Sequence, residues 1–270
     1  MSRNVKRIRK PSEPPIQSAP EQPLTYSPPT THVSLPSGGA FYPPEHPLHG
    51  EDAIEVKHMT TREEEILTSP TLMKTGLVVD RLIESVVVNK RITPESLLLG
   101  DKNAILVGLR IDAYGEEYEI EVNCPTCTST RSPRIDLTTL GTVGEGESTA
   151  NGTFLVELPR TGAKVELRPL TGKDEKELAK TAKKHQKYGL ADRHLTLQYQ
   201  LMIVSVNGDS NPLAITSFVE NLPAFDSREL RKAYKKINPD VDMRFNFQCD
   251  ICSHEQVMEV PITANFFWSD

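Results

Sequence analysis

The chain has 270 residues, 37% of them apolar, enough for one large core or two modest ones. A net charge of −6 and a pI of about 5.7 exclude a generic nucleic-acid binder. No apolar run approaches the roughly 20 residues that cross a bilayer. The basic N-terminus has no apolar stretch behind it, so no secretory signal is expected and synthesis should be cytosolic.

Residues 1–50 hold 11 of the 21 prolines (positions 11, 14, 15, 20, 23, 28, 29, 36, 43, 44 and 47) and no apolar periodicity, which predicts a disordered or extended tail. Arg3, Lys6, Arg7, Arg9 and Lys10 make its start basic: a solubilising tail, or an arm that orders on an acidic partner. Thr60-Thr61 followed by Glu63-Glu64-Glu65 predicts a helix start with a capping box. A second helix is expected over Leu72 to about Val88, then a turn at Thr93-Pro94-Glu95. Asp101 should cap a third helix carrying Ile105, Leu109 and Ala113, closed by Gly115 as a left-handed cap. Residues 51–116 thus read as a helical unit.

Strand alternation follows. Tyr118, Ile120 and Val122 lead to Cys124, and Ile135 and Leu137 resume after Cys127. A second hairpin is expected from Phe154 to Leu170, turning at Arg160-Thr161-Gly162. Helices are expected over about 173–188, 191–205 and 213–221, and from Asp226 to Lys236, the last opened by an Asp226–Glu229 capping box. Alternation returns at Met243, Phe245 and Phe247, just before Cys249.

The four cysteines form two Cys-x-x-Cys pairs with none left over, which reads as a metal or redox site more than as a disulfide framework. The pairs belong to a repeat offset by 125 positions: Tyr118, Ile120, Val122, Cys124, Cys127, Ile135 and Leu137 map onto Met243, Phe245, Phe247, Cys249, Cys252, Val260 and Ile262. Each copy is a strand, a tight knuckle and a returning strand. Two such hairpins facing each other would place Cys124, Cys127, Cys249 and Cys252 around one structural zinc ion and share a small sheet. A thioredoxin-like pair would need a knuckle at a helix N-terminus, whereas both lie between strands. Disulfides within each pair would leave the copies unconnected. A rubredoxin-like iron site has the same ligands. Four thiolates leave no open position for catalysis.

The fold class expected is α+β: a disordered N-terminal tail (1–50), an N-terminal helical unit (51–116), a split zinc ribbon of two β-hairpin knuckles (117–138 plus 241–270) and an inserted α+β lobe (139–240). The ends of the insertion should meet at the metal. Lys180, Lys183, Lys184 and Lys187 form a basic stripe, more often a solvated face than a binding site. Phe266, Phe267 and Trp268 are either core or a partner anchor, and alternation would turn Phe266 and Trp268 away from Phe267. No nucleophile–histidine–acid order or His-Glu-x-x-His stretch is present, and Thr171-Gly172-Lys173 lacks the earlier glycine of a phosphate loop, so no enzyme is expected.

Several segments carry a resemblance: Leu35-Pro36-Ser37-Gly38-Gly39 leading to Phe41-Tyr42; Ile54 to Thr60; Gly100-Asp101-Lys102 through Leu109-Arg110 to Tyr114-Gly115; the first knuckle; Phe245 to Cys252; and the closing Phe266-Phe267-Trp268. In these, over roughly 35–138 and 223–268, the chain resembles the baseplate hub assembly proteins of T-even-type contractile bacteriophage tails. The resemblance implies a non-enzymatic tail-assembly role, as a hub component or a chaperone-like assembly factor. The partners would be other phage tail baseplate and hub proteins, met in the host cytoplasm during assembly or on the virion's tail baseplate. No membrane, nucleic acid or small-molecule substrate is expected as a partner. The rival reading is a nucleic-acid-binding zinc-ribbon adaptor, against which the acidic charge and the few basic residues around the knuckles argue.

Overall fold

The computed structural model describes residues 27–144, 146, 148–149, 151–191, 193–262 and 264–267. Helices and small antiparallel sheets are mixed along the chain. β1 (Thr30–Ser34) and β2 (Ala53–Lys57) form a hairpin whose long loop buries Leu35, Phe41, Tyr42 and Leu48. The tail expected as far as residue 50 is therefore corrected from Thr30 onward, while residues 1–26 lie outside the described residues. The prolines here serve turns, and the apolar residues between them suffice to anchor the loop.

That anchor is Asp101. It is fully buried and accepts hydrogen bonds from the Ser37 N–H (3.0 Å), the Ser37 hydroxyl (2.6 Å) and the Tyr42 hydroxyl (2.8 Å). It was expected to cap a helix, but the helix already begins at Leu99, and the carboxylate turns to the β1–β2 loop instead. Burial pushes the Asp101 carboxyl above the usual range, against the pull of its three donors.

α1 (Thr61–Thr68) opens with the expected box, Thr60 N–H donating to Glu63 Oε2 at 2.9 Å. The single helix expected over 72–88 is two, α2 (Pro70–Thr75) and α3 (Val78–Val86), because Gly76 takes a left-handed φ of 76° and ends the first. α4 (Leu99–Tyr114) is the central helix, burying Ile105, Leu106 and Leu109. It stops at Gly115 with φ 85° and ψ 174°, so the expected left-handed cap is replaced by a more extended one.

β3 (Glu117–Glu119), β4 (Val122–Asn123), β5 (Thr130–Arg131) and β6 (Arg134–Asp136) make the first knuckle hairpin, β3 pairing β6 and β4 pairing β5. After a 3-10 turn (Leu137–Thr139) comes β7 (Thr142–Val143). β8 (Phe154–Glu157) and β9 (Lys164–Leu167) are the expected second hairpin. α5 (Gly172–Tyr188) follows. α6 (His194–Met202) is shorter than expected, because the chain leaves it as β10 (Ile203–Val206), which completes a sheet of order β10-β9-β8. The β-branched Ile203, Val204 and Val206 favour that strand.

α7 (Pro212–Glu220) and α8 (Ala224–Ile237) complete the segment. Asp226 does not form the expected box. α8 starts at Ala224, and the buried carboxylate accepts from the N–H groups of Arg160 and Thr161, both at 3.0 Å, and from the Thr161 hydroxyl at 2.8 Å. β11 (Asp240–Val241) then pairs antiparallel with β7, joining the two ends of the long intervening segment. β12 (Arg244–Gln248) and β13 (Glu255–Glu259) form the second knuckle hairpin, and a 3-10 turn covers Ala264–Phe267.

Two glycines let the segment from β7 to β11 sit against α4 and its approach. A Cβ on Gly100 would lie 2.0 Å from the Pro239 carbonyl oxygen, and one on Gly172 would lie 2.1 Å from that of Pro94. Backbone hydrogen bonds from Leu99 N–H to Leu170 O and from Gly172 N–H to Leu97 O seal the second approach.

Candidate metal centre

The two knuckles have the same backbone. In the first, Cys124 N–H donates to Ser129 O and Thr128 N–H to Cys124 O; in the second, Cys249 N–H donates to His254 O and Ser253 N–H to Cys249 O, all at 2.9 Å. Thr128 and Ser253 both take left-handed φ, 57° and 56°. These positions again differ by 125, so the repeat read in the side chains is a repeat of the turn. Each turn folds its two cysteines onto one side.

The topology brings the turns together. The four Sγ atoms all lie within 4.8 Å of one another. Cys124 Sγ is 3.6 Å from Cys252 Sγ, and Cys127 Sγ is 3.7 Å from Cys249 Sγ. A tetrahedral four-thiolate site with bonds of about 2.3 Å has sulfurs about 3.8 Å apart. All four thiols are free; Cys124 and Cys249 are buried, and Cys252 faces solvent. The donor set and its spacing therefore fit a single metal ion.

The surroundings tune the thiols unequally. N–H groups of Cys252 and Ile251 push the Cys249 thiol down to about 6. Ser129, whose hydroxyl lies 2.9 Å from Cys127 Sγ, lowers the Cys127 thiol. Cys252 is pulled down by the His254 N–H, but desolvation and the three neighbouring sulfurs outweigh that and raise it to about 12. Four thiols this close cannot all ionise without a cation among them.

Three features around the site were not read from the sequence. Ser129 sits beside two sulfurs, 3.8 Å from Cys249 Sγ as well, and is the positional equivalent of His254. Arg131 forms an ion pair with Asp250, linking the hairpins. Arg110, only 1% exposed, fixes the base of the first hairpin. It donates to the carbonyls of Gly115 (2.9 Å), Glu117 (3.2 Å) and Phe266 (3.2 Å), with its guanidinium over the Tyr114 and Tyr118 rings.

The two expected hairpins do not share a sheet; each is its own two-stranded ladder, and they meet through side chains. The C-terminal aromatics are corrected as well. Phe266 and Phe267 are both buried, because a 3-10 turn and not a strand carries them. Phe266 meets the Tyr118 ring at 5.1 Å. Trp268 lies outside the described residues.

Residues 29–155 match the family model described as T4 bacteriophage base plate protein. The matched span holds the β1–β2 hairpin, α1 to α4 and the first knuckle; the likeness expected at 223–268 falls outside it. No curated protein matches the chain, and no solved structure does. Through the segment 29–155, the chain is similar to the T4-type bacteriophage baseplate proteins.

Proposed function

We propose that this chain is a non-enzymatic baseplate protein that acts in hub assembly through protein–protein contacts, held in shape by one structural zinc ion on Cys124, Cys127, Cys249 and Cys252. The observation that carries the reading is the convergence of the four sulfurs from hairpins 125 residues apart, one inside the matched family segment and one far outside it. On this reading the chain divides into a helical unit, a split ribbon and a lobe inserted between its halves, and the pairing of β7 with β11 supports that division. The zinc would close a loop of over a hundred residues and so stabilise the folded chain. Saturated with thiolates, it would supply no open coordination position.

The nucleic-acid adaptor reading finds no support at the knuckles. Arg131, Arg134 and Arg244 are occupied by Asp250, Glu119 and Asp242.

Elemental analysis of freshly purified, reduced protein tests the metal: about one zinc per chain is expected, and iron or no metal would overturn the assignment. Mass spectrometry of purified tails and of assembly intermediates tests the role. Absence of the protein from both would sink it.

A further inference from the structure

We infer that the junction of α3, α4, α5 and the neck between β7 and β11 is a docking cleft for an acidic, amphipathic helical segment of a partner protein. The inference rests on the assembly reading and names the surface and partner chemistry it would use. Two cavities, of about 630 and 1010 Å³, meet at Asn103, Asp240 and Ile262 and form one cleft. The floor of the smaller is aliphatic, with Leu77, Val79, Leu99, Leu106, Ala179 and Ile262. Leu77 is 37% exposed there, and Met73 on the neighbouring helix is 42% exposed.

The rim is basic. At one end stand Lys180 and Lys183, at the other Lys236, all exposed and without an ion pair among the described residues. The acids that line the two cavities are engaged within the fold, Asp242 with Arg244 at 2.6 Å and Glu259 with Lys235 at 3.0 Å. Asp80 and Glu175 hold Lys102 at 2.9 and 2.6 Å, Asp80 also holds Lys176 at 3.0 Å, and Asp240 accepts from Asn103 at 3.0 Å. The cleft thus offers unpaired positive charge over an apolar floor, in a chain whose net charge is −6. An amphipathic helix with leucines in the floor and carboxylates at the rim satisfies both.

Nucleic acid fits less well. Among the described residues Tyr234 is the one aromatic lining either cavity, and its hydroxyl accepts from Leu170 N–H at 2.9 Å, so these residues offer no free ring for base stacking.

The test uses the full-length protein and three fluorescein-labelled probes. These are a synthetic helical peptide with leucines at i, i+3, i+4 and i+7 and glutamates flanking them, the same peptide with glutamine for glutamate, and a single-stranded oligonucleotide. In anisotropy titrations the acidic peptide should bind, and the glutamine version should bind about tenfold more weakly. Lys180→Glu with Lys183→Glu should weaken the acidic peptide by about tenfold or more. Ala179→Trp, which fills the floor without changing the charge, should do the same, with thermal transition and zinc content unchanged in both variants. Equal binding of the two peptides, tighter binding of the oligonucleotide, unchanged binding by either variant, or no binding of the acidic peptide would each overturn the cleft. Failure here with the protein still found in assembly intermediates would leave the assembly reading standing.

Discussion

The first and second knuckles close with the same turn, yet different things stand behind them. The first hairpin backs onto α4: Tyr118, Ile120, Val122, Ile135 and Leu137 are all buried, and Arg110 ties its base to Phe266. The second is the longer ladder, five residues a side, but along it and its flanks only Phe247, Cys249 and Val260 are buried. Ile251 is 63% exposed and Val257 57%. One repeated sequence pattern has produced a hairpin fastened by the core and a hairpin that leans on its sulfurs. Local pattern decides the turn; the surroundings decide how much else holds the turn in place.

The largest effect should come from opening the cysteine site. Cys124→Ser and Cys249→Ser should lose metal alike, since each opens the same site, and loss of a structural metal belongs at the severe end of single substitutions. We expect Tm to fall by roughly 10 °C or more. Hydrogen exchange should then separate the hairpins, with residues 244–259 losing protection while 117–136 keep most of theirs. Equal loss in both would break the comparison.

Arg110→Ala should do the reverse. It leaves three carbonyls without their donor, at about 1 kcal/mol or more each, so a loss of about 3 kcal/mol is expected in denaturant unfolding. Exchange should rise at 117–136 and 264–267 with zinc content intact. Arg110→Lys should recover only part, because an ammonium cannot span three carbonyls as the guanidinium does. Metal loss in Arg110→Ala would mean the two fastenings are one.

The neck is a further tether of the second hairpin. Gly144 has φ 104°, and a Cβ there would sit 2.5 Å from Asn238 O. Gly144→Ala should cost roughly 1–3 kcal/mol, with faster exchange at 240–248 and none of the effect at 117–136.

What the sequence made legible follows from how local each signal is. Each knuckle and the capping box at Thr60 are short-range patterns, the 125-residue offset is one such pattern met twice, and the structure has both turns and the box in place. The β7–β11 neck and the hold of Asp101 on Ser37 and Tyr42 join residues 59 to about a hundred positions apart, with no periodicity to announce them. Prolines in residues 30–50 read as tail because composition does not reveal that Phe41, Tyr42 and Leu48 have a cavity to fill. Phe266 and Phe267 were assigned alternating faces because the strand period was carried past the end of the strand.

The smallest effect expected is at the salt link between the hairpins. Arg131 and Asp250 are paired, but Asp250 is 75% exposed and Arg131 28%. An ion pair so open to water gains little over its separately solvated groups, and holding two side chains in one geometry costs entropy. Asp250→Ala should therefore lower stability by less than about 1 kcal/mol. That difference should shrink as added salt screens the pair. Zinc content should not change, because Asp250 lies between the ligands in sequence without being one. The measurement discriminates because Arg131–Asp250 is a direct charged contact between the two turns. If its loss cost as much as opening the sulfur site, the second hairpin would be held by Arg131 and not by the cysteines. A small, salt-sensitive cost leaves the sulfurs as the second hairpin's main support.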